Sequence, residues 1–349
     1  MKRECLSVGQ WGALLWVAAL APAAELLPGT ALELAGRGGW LSPAAALIFI
    51  LPLLLLSRRG DMMGLRDSVL GKILLALCCL WMELLVILRL SLCARRMEWA
   101  GERDGAVWYF LLTLAALALW MGEGKLSVLG RAGQIFLVLL LGAAALVLGL
   151  SLPRLRADRI LPLWTGDIIP VLRTGLPAAG SLGWAVLPML FLPTQHKRGK
   201  GILLWSAGGC VLLTLAQAII IGNLGVGLSG RSVSAFFDLT KSVGVEGAFQ
   251  RVESVISALW MLSDLTLCVT LTHTIGLAGE GAMFHVKRQT VSSFALLAGA
   301  GVGLWLLRVG LPLEEWNREW VWLGNLVFCA LACFGLWMGV CLGKKTKSG

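Results

Sequence analysis

The sequence predicts an all-α, polytopic membrane protein with about ten transmembrane helices in a single integral membrane domain over residues 1–349. The chain is 58% hydrophobic and 14% charged, with a mean hydropathy of +0.81, whereas soluble domains are about 45–50% apolar and about 25% charged. Ten spans of about 20 residues use roughly 200 residues. The pieces between them are too short for a soluble domain of about 50–200 residues, which excludes an ordinary soluble enzyme.

The spans are apolar runs that clusters of charged residues separate, and the second run is short for a membrane crossing. The predicted spans are residues 10–33, 41–56, 69–93, 105–122, 132–151, 176–194, 202–222, 252–276, 290–309 and 320–342.

The positive charges indicate orientation rather than a nucleic-acid partner. With the N-terminus in the cytoplasm, ten spans return the C-terminus to the same side, and that side holds more Lys and Arg and fewer acids than the other. Cytoplasmic loops carry an excess of Lys and Arg. We therefore expect both termini in the cytoplasm, and the net charge of +10 gives no reason to expect binding to nucleic acid.

Two spans contain helix-interrupting residues at corresponding places. Pro22–Gly29 lies in the first span and Pro177–Gly183 in the sixth, and proline removes a backbone donor and clashes with the preceding turn. Such pairs point to a midplane binding site in an inverted-repeat transporter fold. The pattern predicts broken helices 1 and 6 and two five-helix repeats, 1–151 and 176–342, although two ordinary proline kinks would give the same sequence.

The interrupted segments provide the first candidate ligand-binding residues, because freed backbone groups at membrane depth are tolerated only where they are buried or line a cavity. These candidates are Ala21, Pro22, Ala23, Ala179, Gly180, Ser181 and Gly183. Pro28 and Pro188 are predicted to have a structural or gating role.

Ionisable residues inside the spans provide the second group. A charge at mid-bilayer costs at least about 2.5–3.5 kcal/mol, so each is a candidate for function. Glu25 lies in the first span and Glu83 in the third, and both are predicted to bind ligand. Arg89 can extend its charge toward the interface, so an anchor or a structural ion pair competes with contact to a ligand.

The eighth span carries a polar face. Glu253, Ser257, Trp260 and Asp264 are spaced four, three and four residues apart, which places them on one side of a helix that points into the bundle. Ser257, Trp260 and Asp264 are predicted to bind ligand. Glu253 and the preceding Arg251 are predicted to have a structural or gating role.

The stretch 223–251 begins with a glycine-rich run and is too apolar for a solvated linker. A short helix over the extracellular mouth would explain it, either as a lid or as an interfacial segment without a gating role.

No catalytic signature is present in the sequence. The three histidines form no metal-binding spacing, and no phosphate-binding or nucleophile motif occurs. The nine cysteines lie mostly inside apolar runs, where cysteine packs as a small hydrophobe. We therefore expect no enzyme activity, no cofactor and no metal site.

The stretch Phe249–Ser254 followed by Trp260 resembles the Arg-x-Glu…Trp signature of spore-germination B subunits, the permease-like component of germinant receptors. The order of the other motifs agrees over nearly the whole chain. These motifs are Ser7 and Gln10, Leu27-Pro28, Ala35-Gly36, Gly39–Ser42, Arg131, Leu161-Pro162 and Leu192-Pro193.

The resemblance implies the amino acid–polyamine–organocation transporter superfamily and a LeuT-like fold of two inverted five-helix repeats. It further implies the inner membrane of the endospore, A and C subunits as partners, and a small nutrient such as an amino acid as ligand. An ion-coupled amino-acid transporter acting alone is the alternative. The chain departs from the family at Ala21–Ala23, where many members have a glycine-containing break, and at Val186–Pro188, where many have an acid.

Overall fold

The structure of the protein is a computed structural model, and it describes residues 5–57, 65, 68–99, 107–161, 163–164, 167–194, 199–242, 252–280 and 286–345. These residues are helical almost throughout. Ten long helices lie within them: α1 (Val8–Ala35), α2 (Ser42–Ser57), α3 (Val69–Trp99), α4 (Val107–Gly122), α5 (Leu126–Ser151), α6 (Ile168–Phe191), α7 (Gly199–Arg231), α8 (Val252–Gly279), α9 (Arg288–Val309) and α10 (Trp322–Lys345).

These helices correspond in order to the ten predicted spans. Eight stretches of the described chain are long and apolar enough to cross a membrane. The first of these, Val8–Leu56, contains both α1 and α2, and the shorter apolar helix α4 completes the set. Helices α1, α6 and α8 are the most deeply enclosed and form the centre of the bundle. The predicted all-α membrane architecture is confirmed.

Helix α7 differs from its predicted span, because it continues to Arg231 instead of ending at residue 222. A kink at Gly225, with φ 80° and ψ 165°, interrupts it. Glycine alone tolerates this backbone conformation without strain. A separate short helix, Ala235–Ser242, follows and is called the cap helix below. The helical segment predicted within 223–251 is therefore present, and residues 243–251 lie outside the described residues.

Helices α1 and α6 are continuous through their prolines, so the predicted full breaks are absent. In α1 the hydroxyl of Ser263 on α8 accepts a hydrogen bond from the Ala21 N–H at 2.9 Å and donates one to the Val17 carbonyl at 2.5 Å. An ideal helix would bond these two backbone groups directly. A side chain inserted into the helical ladder next to Pro22 satisfies backbone groups that the proline disturbs.

The N-terminus of α1 begins with a capping box. The Ser7 hydroxyl accepts a hydrogen bond from the Gln10 N–H, and the Gln10 side chain accepts one from the Ser7 N–H. The Leu6 N–H donates to the Pro193 carbonyl at 2.9 Å. This contact joins the start of α1 to the end of α6.

Tryptophan–glycine contacts join α1 to α7. A Cβ at Gly12 would lie 2.2 Å from the Trp205 ring, and a Cβ at Gly209 would lie 1.9 Å from the Trp16 ring. The Trp16 indole N–H also donates to the Trp205 carbonyl at 2.8 Å. Without a side chain at either glycine, the indoles lie directly on the facing helix.

Helix α10 is tied to α6 and α3 through one amide. Asn325 donates from Nδ2 to the Gly180 carbonyl at 2.9 Å, and its Oδ1 accepts from the Trp81 indole at 3.0 Å. A Cβ at Gly180 would lie 2.1 Å from the Trp322 carbonyl oxygen. Gly180 is therefore required for backbone contact between α6 and α10.

We predict that Gly180→Ala lowers the free energy of unfolding by about 1–3 kcal/mol, because the backbones must separate. Unfolding of the purified protein in detergent measures the loss. Gly142→Ala on α5 is the matched control, since a Cβ there meets nothing within 4 Å. Equal stability of the two variants would contradict the contact.

Candidate functional site

Four charged side chains from α1, α3 and α8 meet inside the bundle and are called the ion network below. Arg89 donates from both terminal nitrogens to the two oxygens of Glu25, each at 2.9 Å, and from Nε to Asp264 at 2.5 Å. Arg96 pairs with the same two carboxylates. Each carboxylate therefore binds both guanidinium groups, and the formal charge of the network is zero.

The ion network is almost completely enclosed. The side chains of Arg89 and Asp264 are 0% exposed, and those of Arg96 and Glu25 are 9% and 11% exposed. Removing charges from water costs several kcal/mol each, and their attraction offsets that cost only when the geometry satisfies them together. The two-point contact of Arg89 with Glu25 is the stronger, charge-assisted kind of hydrogen bonding.

Aromatic rings surround the two guanidinium groups. Arg89 lies 5.8 Å from the centroid of Trp184 on α6, and Arg96 lies 5.7 Å from that of Phe237 on the cap helix. Phe236 stacks on Trp260 of α8, with 4.7 Å between centroids. The cap helix therefore lies against the network and against α8, held by ring contacts and cation–π interactions.

A cavity of about 670 Å³ lies at the end of the bundle where α1 and α3 finish; it is called the mouth cavity below. Glu25 and Arg96 of the ion network form part of its wall. Apolar side chains of α1, α3 and the cap helix form another part. Among the described residues, the lining consists of Glu25, Leu26, Gly29, Leu92, Arg96, Arg231, Ser232, Val233, Ser234, Phe237, Asp238, Lys241, Ser257, Pro312, Glu314, Glu315, Asn317 and Arg318.

Buried polar atoms in this lining have no hydrogen-bond partner within the described chain. They include one donor, the Nε–H of Arg96, and two acceptors, Oδ1 of Asn317 and Oε1 of Glu314. The Ser234 hydroxyl is also unpartnered. Buried polar groups are normally paired, so these atoms, which lie just behind the cavity wall, would each gain a partner if their side chains turned toward a molecule in the cavity.

Further charges in the lining are free of ion pairs within the part of the chain that the structure describes. Arg231, Lys241 and Arg318 are cations of this kind, and Glu315 is an anion. Glu314, in contrast, pairs with Arg95 at 2.8 Å. The mouth cavity therefore presents both signs of charge.

The structure brings several predicted residues together. Glu25 and Ser257 line the mouth cavity, Asp264 and Arg89 belong to the ion network behind it, and Trp260 contacts the cap helix. The interpretation of Arg89 as a partner in a structural ion pair agrees with this arrangement.

Other predicted residues lie elsewhere. Gly180 and Gly183 face α10, and the Ser181 hydroxyl donates to the Pro177 carbonyl of its own helix. The remaining predicted residues of α1 and α6 are buried in helix packing away from the cavity lining: Ala21, Pro22, Ala23, Pro28, Ala179 and Pro188.

Glu83 lies deeper in α3 and outside the cavity lining. Arg251 and the side chain of Glu253 lie outside the described residues.

Sequence reasoning missed Arg96, Asn317 and Glu314. The predicted third span ends before Arg96, whereas α3 continues to Trp99. The spacing of seven residues between Arg89 and Arg96 places both side chains on one helix face. This spacing is the feature of the sequence that indicates Arg96 as a neighbour of the same carboxylates. Asn317 lies in a π-helical turn, Asn317–Val321, that no periodicity predicts.

The described residues contain no group of three or more His, Cys, Asp or Glu side chains that could hold a metal ion. The side chains that line the mouth cavity offer ion pairs and hydrogen bonds.

A family model described as "Spore germination protein" matches residues 7–306 of the chain. No curated protein matches the sequence.

Solved structures of transporters are similar in fold. A mutant of the manganese transporter of Eremococcus coleocola gives a TM-score of 0.61 at 14% identity over 96% of this chain and 78% of that one. A Na⁺-coupled sialic acid symporter, substrate-bound and outward-open, gives 0.59 at 12% identity over 94% and 79%. These likenesses show that the chain has the LeuT-like transporter fold.

We predict that Asp264→Asn lowers the free energy of unfolding by about 3–5 kcal/mol, because it leaves an uncompensated guanidinium inside the bundle. Chemical unfolding in detergent provides the measurement. Glu314→Gln is the control, since its pair with Arg95 is partly exposed and is worth about 0–1 kcal/mol. Similar losses in both variants would rule out a special role for the enclosed network.

Proposed function

The chain belongs to the spore germination protein family, and from that premise we propose that it is the membrane subunit of a nutrient-germinant receptor. In this proposal a small zwitterionic nutrient, an amino acid, binds in the mouth cavity. Binding triggers germination by shifting the subunit between two conformations.

The observation that carries this proposal is the set of unpartnered polar atoms in the mouth cavity. When these side chains turn toward the cavity on binding, a ligand carboxylate accepts a hydrogen bond from Arg96 Nε, and a ligand ammonium donates to Asn317 Oδ1 and Glu314 Oε1. Charge-assisted hydrogen bonds of this kind are about twice as strong as neutral ones. An α-amino acid carries both groups on one carbon, and the lining supplies partners for each.

The size and the wall of the cavity also suit a small nutrient. Its volume of about 670 Å³ lies within the range of small-molecule sites, about 300–1,000 Å³. Leu26, Leu92 and Val233 provide an apolar part of the wall. This part suits the side chain of an amino acid, while the charged part suits its backbone groups.

Sensing requires that the nutrient bind one conformation more tightly than the other, because equal affinity shifts nothing. The ion network is the element of the site that can differ between conformations. Its two guanidinium groups share two carboxylates, and Arg96 also faces the cavity. A nutrient that binds Arg96 changes the balance of these pairs and hence the contact between α1, α3 and α8.

The remaining parts of the proposal concern the setting of the subunit. We infer that it lies in the inner membrane of the spore beside A and C subunits, with both termini in the cytoplasm and the mouth cavity on the opposite side. The family membership supports the partners, and the distribution of Lys and Arg supports the orientation.

A second candidate function is ion-coupled transport of an amino acid by this chain alone. The fold that it shares with a Na⁺-coupled symporter and a manganese transporter favours this candidate. Uptake of labelled amino acids into vesicles that contain only this protein distinguishes the two. Accumulation would indicate a transporter, whereas binding without accumulation would indicate a receptor.

We predict that the purified protein in nanodiscs binds one or more of the twenty amino acids, and that analogues without the amine or the carboxylate bind at least tenfold more weakly. Asn317→Ala should raise the Kd by about tenfold to a hundredfold, because a hydrogen bond to a charged group contributes about 1.5–3 kcal/mol. Spores that carry this variant should need correspondingly more nutrient to germinate.

Asn223→Ala is the matched control for this experiment. Asn223 donates to the Ile219 carbonyl of its own helix and does not line the mouth cavity, so its loss should leave the Kd unchanged. Equal affinity for the analogues without amine or carboxylate, or equal effects of the two asparagine variants, would refute the assigned site.

A further inference from the structure

Glu83 is an acidic side chain without a partner at the middle of α3. Neither of its carboxyl oxygens is accessible to solvent, and neither has a hydrogen-bond partner in the described chain. Glu83 lies six residues before Arg89, about 9 Å along the helix, on the side away from the mouth cavity. The ion network and the proposed nutrient site therefore do not use it.

The carboxyl group of Glu83 lies against α9. A Cβ at Gly299 would approach Oε1 of Glu83 to 3.3 Å and Cγ1 of Val86 to 3.0 Å. One turn further along α9, a Cβ at Gly303 would lie 2.9 Å from Ser91 Oγ. Small residues on α9 thus provide the space that the acid occupies, and this space is bounded by apolar groups.

Among the described residues, none of the helices packed against α3 supplies a cation to Glu83. Arg89 of α3 itself is bonded to Glu25 and Asp264. In α8, Asp264 belongs to the ion network and His273 lies near Arg288. Arg96 of α3 also belongs to the ion network. The other titratable groups of the described parts of α3, α4, α8, α9 and α10 are Lys72 near the start of α3, Cys78, Cys79, Cys93, Arg95, Glu98, Tyr109, Cys268, Arg288 and Arg308 at the two ends of α9, and Cys329 and Cys333. None is ion-paired or hydrogen-bonded to Glu83.

An ionised carboxylate in this position would have no compensation. A charge at the bilayer centre costs at least about 2.5–3.5 kcal/mol, and a buried acid without a partner avoids that cost by remaining protonated. A leucine would fill the same space with no such cost. A protonated acid therefore offers more than a leucine at this position only if it releases its proton in another conformation.

We propose that Glu83 is a proton-binding site at the interface of α3 and α9. With the interface closed, as in this structure, the side chain holds its proton as the neutral acid. When the interface opens to water, the O–H bond breaks, the proton passes to water and the carboxylate remains, solvated. The ligand of this site is the proton, and its release is linked to the separation of α9 from α3.

Two measurements on the purified protein in nanodiscs, without any nutrient, test the proposal. Infrared spectroscopy follows the C=O band of a protonated carboxylic acid as pH is raised. Hydrogen exchange followed by mass spectrometry measures protection of α9 at the same pH values, corrected for the intrinsic pH dependence of amide exchange. One released proton changes the opening equilibrium by up to about tenfold per pH unit.

The wild type should lose the infrared band reversibly on raising pH, and protection of α9 should fall over the same range. Glu83→Gln keeps the shape of the neutral acid, so it should lack the band and show pH-independent protection. Glu98→Gln, at the end of the same helix, is the matched control and should behave as the wild type. If Glu83→Gln fails to fold, Glu83→Asp should titrate at a different pH from the wild type.

Three results would overturn the proposal. Identical spectra of the wild type and Glu83→Gln would mean that Glu83 is ionised throughout. A band that persists at all pH values, with unchanged protection of α9, would mean a neutral structural acid. Loss of the band on adding Na⁺ at constant pH would mean a metal-cation site instead. Because no nutrient is present, these results are independent of the proposed receptor function.

Discussion

The ion network is the constraint on which the rest of the site depends. Four charges from three helices are almost completely enclosed, and each carboxylate binds both guanidinium groups. Any one of these charges alone would cost several kcal/mol in the bilayer. The helices α1, α3 and α8 must therefore pack so that all four meet, and this requirement fixes where the mouth cavity begins.

The surroundings of the network follow from the same constraint. Trp184 and Phe237 place ring faces near the guanidinium groups, and the cap helix encloses the network on the side of the cavity. Buried backbone groups are paired as well. The Ser263 hydroxyl joins two backbone groups of α1 next to Pro22, and Asn325 binds the Gly180 carbonyl. In a bilayer, polar atoms find partners inside the protein, and here α1 and α6 receive them from side chains of α8 and α10.

Several exceptions to this rule lie at the two proposed sites. Unpartnered atoms of Arg96, Asn317 and Glu314 surround the mouth cavity, and the unpartnered carboxyl group of Glu83 lies between α3 and α9. The first set suits a ligand with charges of both signs, whereas Glu83 suits a proton. Two separate polar sites on one helix, α3, would allow nutrient binding and proton release to respond to the same helix movement.

The sequence by itself determined the membrane class, the order of ten spans and the presence of Glu25, Arg89 and Asp264 inside those spans, because hydropathy and the cost of an intramembrane charge depend on local composition. Only the tertiary structure decided which charges pair, that Arg96 joins them, and that Gly180 contacts α10 instead of a ligand. Helix α3 extends beyond its apolar run and so includes Arg96. Gly180 contacts Asn325 of α10, which lies 145 residues away in the sequence. Such contacts depend on how helices pack across the bundle, and the period of a single helix does not encode them.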